Sequence, residues 1–266
     1  MLGKPRLARL HDQFCRSFFV QTRYIQQIIH RLIGQIIHRD DAPSGQFVSQ
    51  FPVHSFHFQQ VLCRCRRFNF FFGGNGADTL SGGNDDDEIY GGEGPDTITT
   101  GEGANTVFAN EGDDDITGGS STDLIDGGDG NDIIRGGDSP DLLNPDDIDG
   151  GPGDDRIDGG PGYNKMMGGL GADTIIGGDL PDSIFGGADS SDDAPGDGVD
   201  TIYGKGGVDI ITSGYGADKI SGGAGDDYIN AGANNDIIDS GPGNDSVIGG
   251  TGADTIQGSS GNDTLN

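Results

Sequence analysis

The sequence predicts an all-β solenoid of nonapeptide repeats over residues 73–266, preceded by an unrelated segment, residues 1–72. Three observations predict it: a nine-residue period, an apolar residue at one fixed position of each period, and a change of composition near residue 72. Of the 52 glycines in the 266-residue chain, 49 follow residue 72. A glycine-rich stretch without a period indicates disorder, whereas one with a strict period indicates a solenoid.

The charge is divided in the same way, within a formal net charge of −29. Residues 1–72 hold ten Lys or Arg and three Asp or Glu, a balance of +7, while residues 73–266 hold five and 41, a balance of −36. So acidic a segment repels phosphates, which disfavours nucleic acid as a partner, and it attracts cations. All three cysteines lie before residue 73, so no disulfide holds the repeats together. The sequence contains no run of 18 apolar residues, so it predicts no membrane-spanning helix.

Each position of the nonamer has a physical role. The frame begins with Gly-Gly-Asn-Gly-Ala-Asp-Thr-Leu-Ser at 73–81, holds for eight nonamers to Asn144, and resumes for thirteen over 150–266. Position 2 is Gly in 18 of the 21 nonamers and position 4 in 15, which suits a turn with positive φ. Position 6 is Asp in 18, and position 8 is Leu, Ile, Val or Met in 20. Positions 7 and 9 flank position 8 in a short strand, so they face outward while position 8 faces the core.

One apolar residue in nine gives a thin core, and the acidic side chains repel one another. A hard dication with oxygen ligands would neutralise and crosslink these carboxylates, and Ca²⁺ with about six to eight oxygen ligands suits them. Because metal binding then supplies folding free energy, we expect the calcium-free chain to be largely unfolded.

The motif Gly-Gly-x-Gly-x-Asp-x-apolar-x resembles that of the RTX (repeats-in-toxin) family, the hemolysin-type calcium-binding repeats, over 194 of 266 residues. The resemblance implies a right-handed parallel β-roll in which two nonamers form one coil and equivalent turns lie 18 residues apart. It also implies calcium ions between neighbouring turns, held by turn carbonyls and position-6 carboxylates. Carried onto this chain, the expected ligands are Asp78, Asp96, Asp114 and Asp132 on one edge, Asp87, Asp123 and Asp141 on the other, then Asp155, Asp173 and Asp182, and finally Asp200, Asp218, Asp236 and Asp254 opposite Asp209, Asp227, Asp245 and Asp263. Turns with Asn105, Asn164 or Ser191 at position 6 are expected to bind calcium weakly or not at all.

Two departures divide the repeats into expected blocks 73–144, 150–185 and 195–266. Residues 145–149 match positions 5 to 9 of a shortened repeat, with Asp146 and Ile148 where ligand and core residue belong, and we expect a fault in the roll there. Residues 186–194 keep the length but lose the ligand and the apolar residue, so we expect a degenerate, extruded loop.

Residues 1–72 permit several interpretations. Apolar pairs recur every four residues over 24–37, which predicts a basic amphipathic helix over about 16–39. It could lie on an anionic membrane surface, pack elsewhere, or be disordered. A further hypothesis is that the segment is not genuine coding sequence.

Two short motifs in residues 1–72 carry little weight as functional sites. His54, His57, Cys63 and Cys65 match no common zinc module. The arginines and phenylalanines of 64–72 could contact nucleic acid, but so short a run is more often a solvated surface.

The sequence predicts no enzyme, because it contains neither His-Glu-x-x-His nor Gly-x-Ser-x-Gly. The leading hypothesis is a calcium-binding structural module of a secreted or cell-surface protein, which folds after export. The alternatives are a fragment of a secreted RTX enzyme or toxin whose active domain is missing, and an adhesin or surface-layer protein. Type I secretion machinery is a candidate partner. The repeats run to Asn266, so we expect its usual C-terminal signal to be absent or the sequence to be a fragment.

Overall fold

A computed structural model describes residues 63–65, 68–138, 145–187 and 196–266. The helix expected over 16–39 and the pair His54 and His57 lie outside these residues. In the described ranges, no helix is long and apolar enough to cross a membrane.

Twenty-two strands of the described chain form two sheets. The larger sheet contains, in order, β1 (Cys63–Cys65), β2 (Phe68–Asn75), β4 (Asp86–Glu93), β6 (Thr106–Glu111), β8 (Leu124–Asp129), β10 (Asp146–Pro152), β12 (Asn164–Leu170), β14 (Ser183–Gly187), β16 (Ile210–Thr212), β18 (Tyr228–Asn230), β20 (Ser246–Ile248) and β22 (Thr264–Leu265). The smaller sheet contains β3 (Thr79–Asn84), β5 (Thr97–Glu102), β7 (Asp115–Thr117), β9 (Ile133–Arg135), β11 (Arg156–Asp158), β13 (Thr174–Ile176), β15 (Thr201–Gly206), β17 (Lys219–Ala224), β19 (Ile237–Asp239) and β21 (Thr255–Gln257).

The chain alternates between the two sheets, so each coil contributes one strand to each, as the repeat predicts. Neighbouring strands are parallel, and their usual register places residues 18 apart side by side, as Ile89 lies beside Val107. Only β1 is antiparallel: it pairs with β2 at the N-terminal edge of the larger sheet. The fold is therefore the expected all-β parallel β-roll.

The core between the sheets is a ladder of position-8 side chains. Ile89, Ile98 and Val107 have no exposed surface, and the same holds for most of their equivalents in later coils. The ladder continues to Val247, beyond which Ile256 is only partly buried. Positions 7 and 9 lie on the outer faces, where Phe72, Tyr90 and Phe108 stack with centroids 5.0 and 5.3 Å apart.

In most turns the backbone is left-handed at position 2, where equivalent turns stack closely. Gly92 has a φ of 129°, and a Cβ there would lie 1.8 Å from the carbonyl oxygen of Gly74 in the preceding coil. Lys205 and Asn110 also occupy position 2, and they adopt φ values of 73° and 79°. The stacking of the coils thus overrides the preference of these side chains.

The roll begins earlier than the boundary expected between residues 72 and 73. Strand β2 pairs with β4, and Phe71 lies in the core beside Ile89 with 3% of its surface exposed. Asn69 takes position 6, and its backbone N–H donates to Asp87. Residues 68–72 are therefore the end of a further repeat, which the sequence hides because its turn lacks the glycines.

The fault expected at 145–149 is not present in the sheets. Strand β10 pairs with β8 on one side and β12 on the other, and Ile148 lies beside Ile125 and Met166. The register shifts from 18 to 23 residues here, so this coil is five residues longer. The boundary between the first two expected blocks is a change of coil length and does not interrupt the sheets.

The second departure also lengthens a coil. Ile175 pairs with Ile202 and Ile184 with Ile211, each at a separation of 27 residues. Gly186 and Gly187 belong to strand β14, so these two residues are not part of a loop as expected. Residues 188–195, the remainder of that expected loop, lie outside the described chain.

Replacing Lys205 with Gly is expected to stabilise the folded protein by about 0.5–1 kcal/mol, because Gly adopts positive φ without a Cβ penalty. Lys205→Ala is the matched control, since it also removes the charge but keeps the Cβ. Thermal unfolding in saturating calcium would measure the difference between the two variants. Equal stability of Lys205→Gly and Lys205→Ala would contradict the account.

Candidate metal centres

The position-6 side chains form two rows, one along each edge of the roll. On the first edge the position-6 residues stand just before the strands of the smaller sheet. On the second edge they stand just before, or at the start of, the strands of the larger sheet. On the first edge the row is Asp78, Asp96, Asp114, Asp132, Asp155, Asp173, Asp200, Asp218, Asp236 and Asp254. On the second edge it is Asn69, Asp87, Asn105, Asp123, Asp146, Asn164, Asp182, Asp209, Asp227, Asp245 and Asp263.

One oxygen of each carboxylate links consecutive coils. The N–H of Asp96 donates to Oδ1 of Asp114 at 2.6 Å, and the N–H of Asp236 donates to Oδ1 of Asp254 at 3.1 Å. The bond persists across the lengthened coils, since Asp132 donates to Asp155 at 2.7 Å and Asp173 donates in turn to the next carboxylate, Asp200, at 2.8 Å. Each such bond satisfies a buried backbone N–H and fixes the carboxylate.

The second oxygen of most of these carboxylates is buried and accepts no hydrogen bond from the chain. We call these side chains the donor-free carboxylates; among the residues described there are thirteen at position 6. They are Asp87, Asp96, Asp114, Asp132, Asp146, Asp155, Asp173, Asp200, Asp209, Asp218, Asp227, Asp236 and Asp245. A buried anionic oxygen without a partner is costly, so the arrangement requires a proton or a cation.

Burial raises the pKa of several of these carboxyl groups. Burial, followed by repulsion from Asp173, Asp218 and Asp197, raises the pKa of Asp200 to about 8, against the lowering effect of its backbone hydrogen bond. Burial is also the largest cause for Asp132 and Asp155, whose pKa rises to about 7. The backbone hydrogen bonds offset these charges only in part, so the carboxylates favour a bound cation.

The turn carbonyls complete the donor set, as the Asn turns reveal. Nδ2 of Asn105 donates to the carbonyl of Gly103 at 2.8 Å, and Nδ2 of Asn164 lies 3.3 and 3.4 Å from the carbonyls of Gly160 and Gly162. In these two turns, carbonyls of positions 2 and 4 therefore lie within reach of the position-6 side chain. The same arrangement with a carboxylate at position 6 would bring oxygens together with no proton between them, a combination that fits Ca²⁺.

The residues present fit calcium sites whose ligands are largely backbone carbonyls. Among the residues described, no group of three or more His, Cys, Asp or Glu side chains could together hold a metal. Each site would thus combine position-6 carboxylates of neighbouring turns with turn carbonyls. A ligand set poor in charge suits a module of modest calcium affinity.

The expected ligands do not all share this geometry. Oδ2 of Asp123 accepts the N–H of Gly119 at 2.8 Å, and Oδ2 of Asp182 accepts the N–H of Gly178 at 2.7 Å, so neither is donor-free. Asp254 and Asp263 lie in the last coil and are half-buried. Asp78 is buried, and its N–H donates to Asp96.

The second edge differs from expectation at one position. Asp141 was expected to follow Asp123, but the N–H of Asp123 donates to Oδ1 of Asp146 at 2.8 Å. Asp141 itself lies outside the described residues. Asp146 is fully buried, and burial raises its pKa to about 7. Its sequence signal was present, since it lies two residues before Ile148, as a ligand lies before a core residue.

Asp197 is a partly buried carboxylate that the repeat pattern does not mark. It occupies position 3, which varies freely between repeats. Its Oδ2 accepts the N–H of Tyr215 at 2.7 Å, its Oδ1 is buried without a partner, and burial raises its pKa to about 6. It adds negative charge beside Asp200, and only the stacking of the coils could reveal this.

Comparison with protein families agrees with this geometry. A family model described as the RTX calcium-binding nonapeptide repeat, in four copies, matches residues 68–98, 90–125, 108–143, 145–166, 167–190, 196–229, 212–247 and 239–266. The matches begin at residue 68, where the roll begins. No curated protein matches the chain significantly.

Without calcium, the roll is expected to be more stable at about pH 5 than at about pH 8. A carboxyl with a raised pKa binds its proton more tightly in the folded chain, so this stabilisation is complete below pH about 4 and is lost as the pH rises through about 6 to 8. Far-UV circular dichroism in calcium-free buffer would measure it. A β signal that is unchanged or stronger at pH 8 would contradict the assignment.

Proposed function

Because the chain belongs to the RTX calcium-binding nonapeptide repeat family, we propose that residues 68–266 are a structural module that folds on calcium binding after export. In this role the module stabilises or presents a secreted protein. The single observation that carries the proposal is the two rows of donor-free carboxylates, stacked coil upon coil along the edges. Neutralising them links each coil to the next, so binding and folding are one process.

The proposed compartment follows from calcium affinity. Extracellular calcium modules bind at about 10⁻⁴ to 10⁻³ M, far above the calcium concentration of a bacterial cytosol. The chain would remain unfolded there, in a form suited to transport by type I secretion machinery. Outside the cell or at its surface, calcium would then drive folding.

We also propose that the module is not itself catalytic. Its buried carboxylates recur with each coil, which suits ligands and not a unique acid/base pair. Among the described residues, these side chains point into stacked turns and not into a cleft that could hold a substrate. The same module would serve equally in a secreted enzyme or toxin whose active domain lies elsewhere.

Titrating the full chain with calcium from zero to about 10 mM is expected to give a cooperative coil-to-β transition in far-UV circular dichroism. Magnesium should not replace calcium, because Mg²⁺ demands octahedral geometry and gives up water reluctantly. A full β signal in chelator at neutral pH would contradict calcium-driven folding, and absence of any transition would contradict calcium binding.

Replacing Asp218 with Ala is expected to weaken the folded state by about 1–3 kcal/mol in saturating calcium, since the buried N–H of Asp200 loses its acceptor. The calcium midpoint should also rise. Asp179→Ala is the control, because it removes an equal charge from an exposed side chain. Equal calcium midpoints for the two variants would count against Asp218 as a ligand.

A further inference from the structure

In four turns of the second edge, N–H groups already donate either to Oδ2 of the position-6 aspartate or to carbonyl oxygens of the same turn. We call these the self-closed turns: residues 100–105, 118–123, 159–164 and 177–182. They form two adjacent pairs, in each of which a turn ending in Asn is followed, one coil later, by a turn ending in Asp. The same combination thus occurs twice along one edge.

In the Asn turns the side-chain amide supplies the donor. Nδ2 of Asn105 donates to the carbonyl of Gly103 at 2.8 Å and to Oδ1 of Asp123 at 2.9 Å, so it bridges two coils. Nδ2 of Asn164 lies within 3.4 Å of two carbonyls of its own turn. The amide therefore supplies a hydrogen-bond donor to carbonyls of its own turn.

In the Asp turns the backbone supplies the donor. The N–H of Gly119 donates to Oδ2 of Asp123, and the N–H of Gly178 donates to Oδ2 of Asp182. Both glycines stand at position 2 but lack the positive φ of their equivalents. Position 4 is Ser121 and Leu180 in these turns, so the usual left-handed glycine is missing and the turn follows another path.

The self-closed turns also isolate the donor-free carboxylates near them. Asp87 lies between Asn69 and Asn105, and Asp146 lies between Asp123 and Asn164. Within the described part of the second edge, donor-free carboxylates occupy consecutive coils only at Asp209, Asp227 and Asp245. On the first edge they are consecutive from Asp96 to Asp236.

We propose that the pairs Asn105–Asp123 and Asn164–Asp182 are calcium-independent links between coils, in which N–H groups take the place of an ion. Calcium would then bind along the first edge and along the C-terminal part of the second. The inference rests on the proposed function, and it makes the two edges unequal: one depends on calcium throughout, whereas the other is partly fixed by the chain itself.

The test converts each linking Asn to Asp. Asn105→Asp and Asn164→Asp replace the amide donor with a carboxylate oxygen beside the same carbonyls, so we expect each variant to bind one additional calcium ion by native mass spectrometry. Asn235→Asp is the matched control: the residue is exposed, and Asp retains the oxygen that accepts the N–H of Ala253. It should leave the number of bound ions unchanged.

An unchanged ion count in both linking variants would overturn the inference, because the amide would then not be what takes the place of an ion. The reciprocal variant Asp227→Asn keeps a hydrogen-bond acceptor at position 6, and so it tests the proposal even if a linking variant fails to fold. It should bind fewer ions than the wild type and still fold, whereas an unchanged ion count would also overturn the inference. Absence of calcium binding by the wild type would instead refute the proposed function.

Discussion

The structure depends on how buried carboxylate oxygens are neutralised along the two edges of the roll. Each coil offers one core side chain per nonamer, which is little apolar surface for its length. Most coils also carry a position-6 aspartate whose Oδ1 binds the neighbouring coil while its Oδ2 has no donor. The carboxylates that join the coils thus also repel one another, and a bound cation would remove this repulsion.

The same constraint explains which irregularities the roll accepts. The coils near residues 145 and 196 are lengthened, yet both keep the hydrogen bond between position-6 residues and the core ladder. A repeat can therefore vary in length as long as its ligand and core residue return to register. Non-glycine residues such as Lys205 are likewise held in left-handed conformation by the coils on either side.

The nine-residue period predicts most of the fold, because the places of the position-6 and position-8 side chains depend on the stacking of the coils alone. Other features depend on backbone conformation and escape the pattern. Residues 68–72 lack the glycines that mark a turn, so only pairing with β4 shows that Phe71 is a core residue. The closure of Asp123 and Asp182 follows from φ at position 2, and the direction of the Asn164 amide follows from the turn carbonyls. Neither the closure of these turns nor the direction of the amide can be predicted from the residue type at position 6.

Hydrogen exchange of the full chain, compared in calcium and in chelator at neutral pH, tests the dependence of the fold on neutralised carboxylates most directly. The position-6 backbone N–H groups of the first edge donate to the very carboxylates that calcium would neutralise. The account predicts that these amides are protected in calcium and exchange rapidly in chelator. Equal protection in both conditions would show that the core ladder alone maintains the roll, and would contradict it.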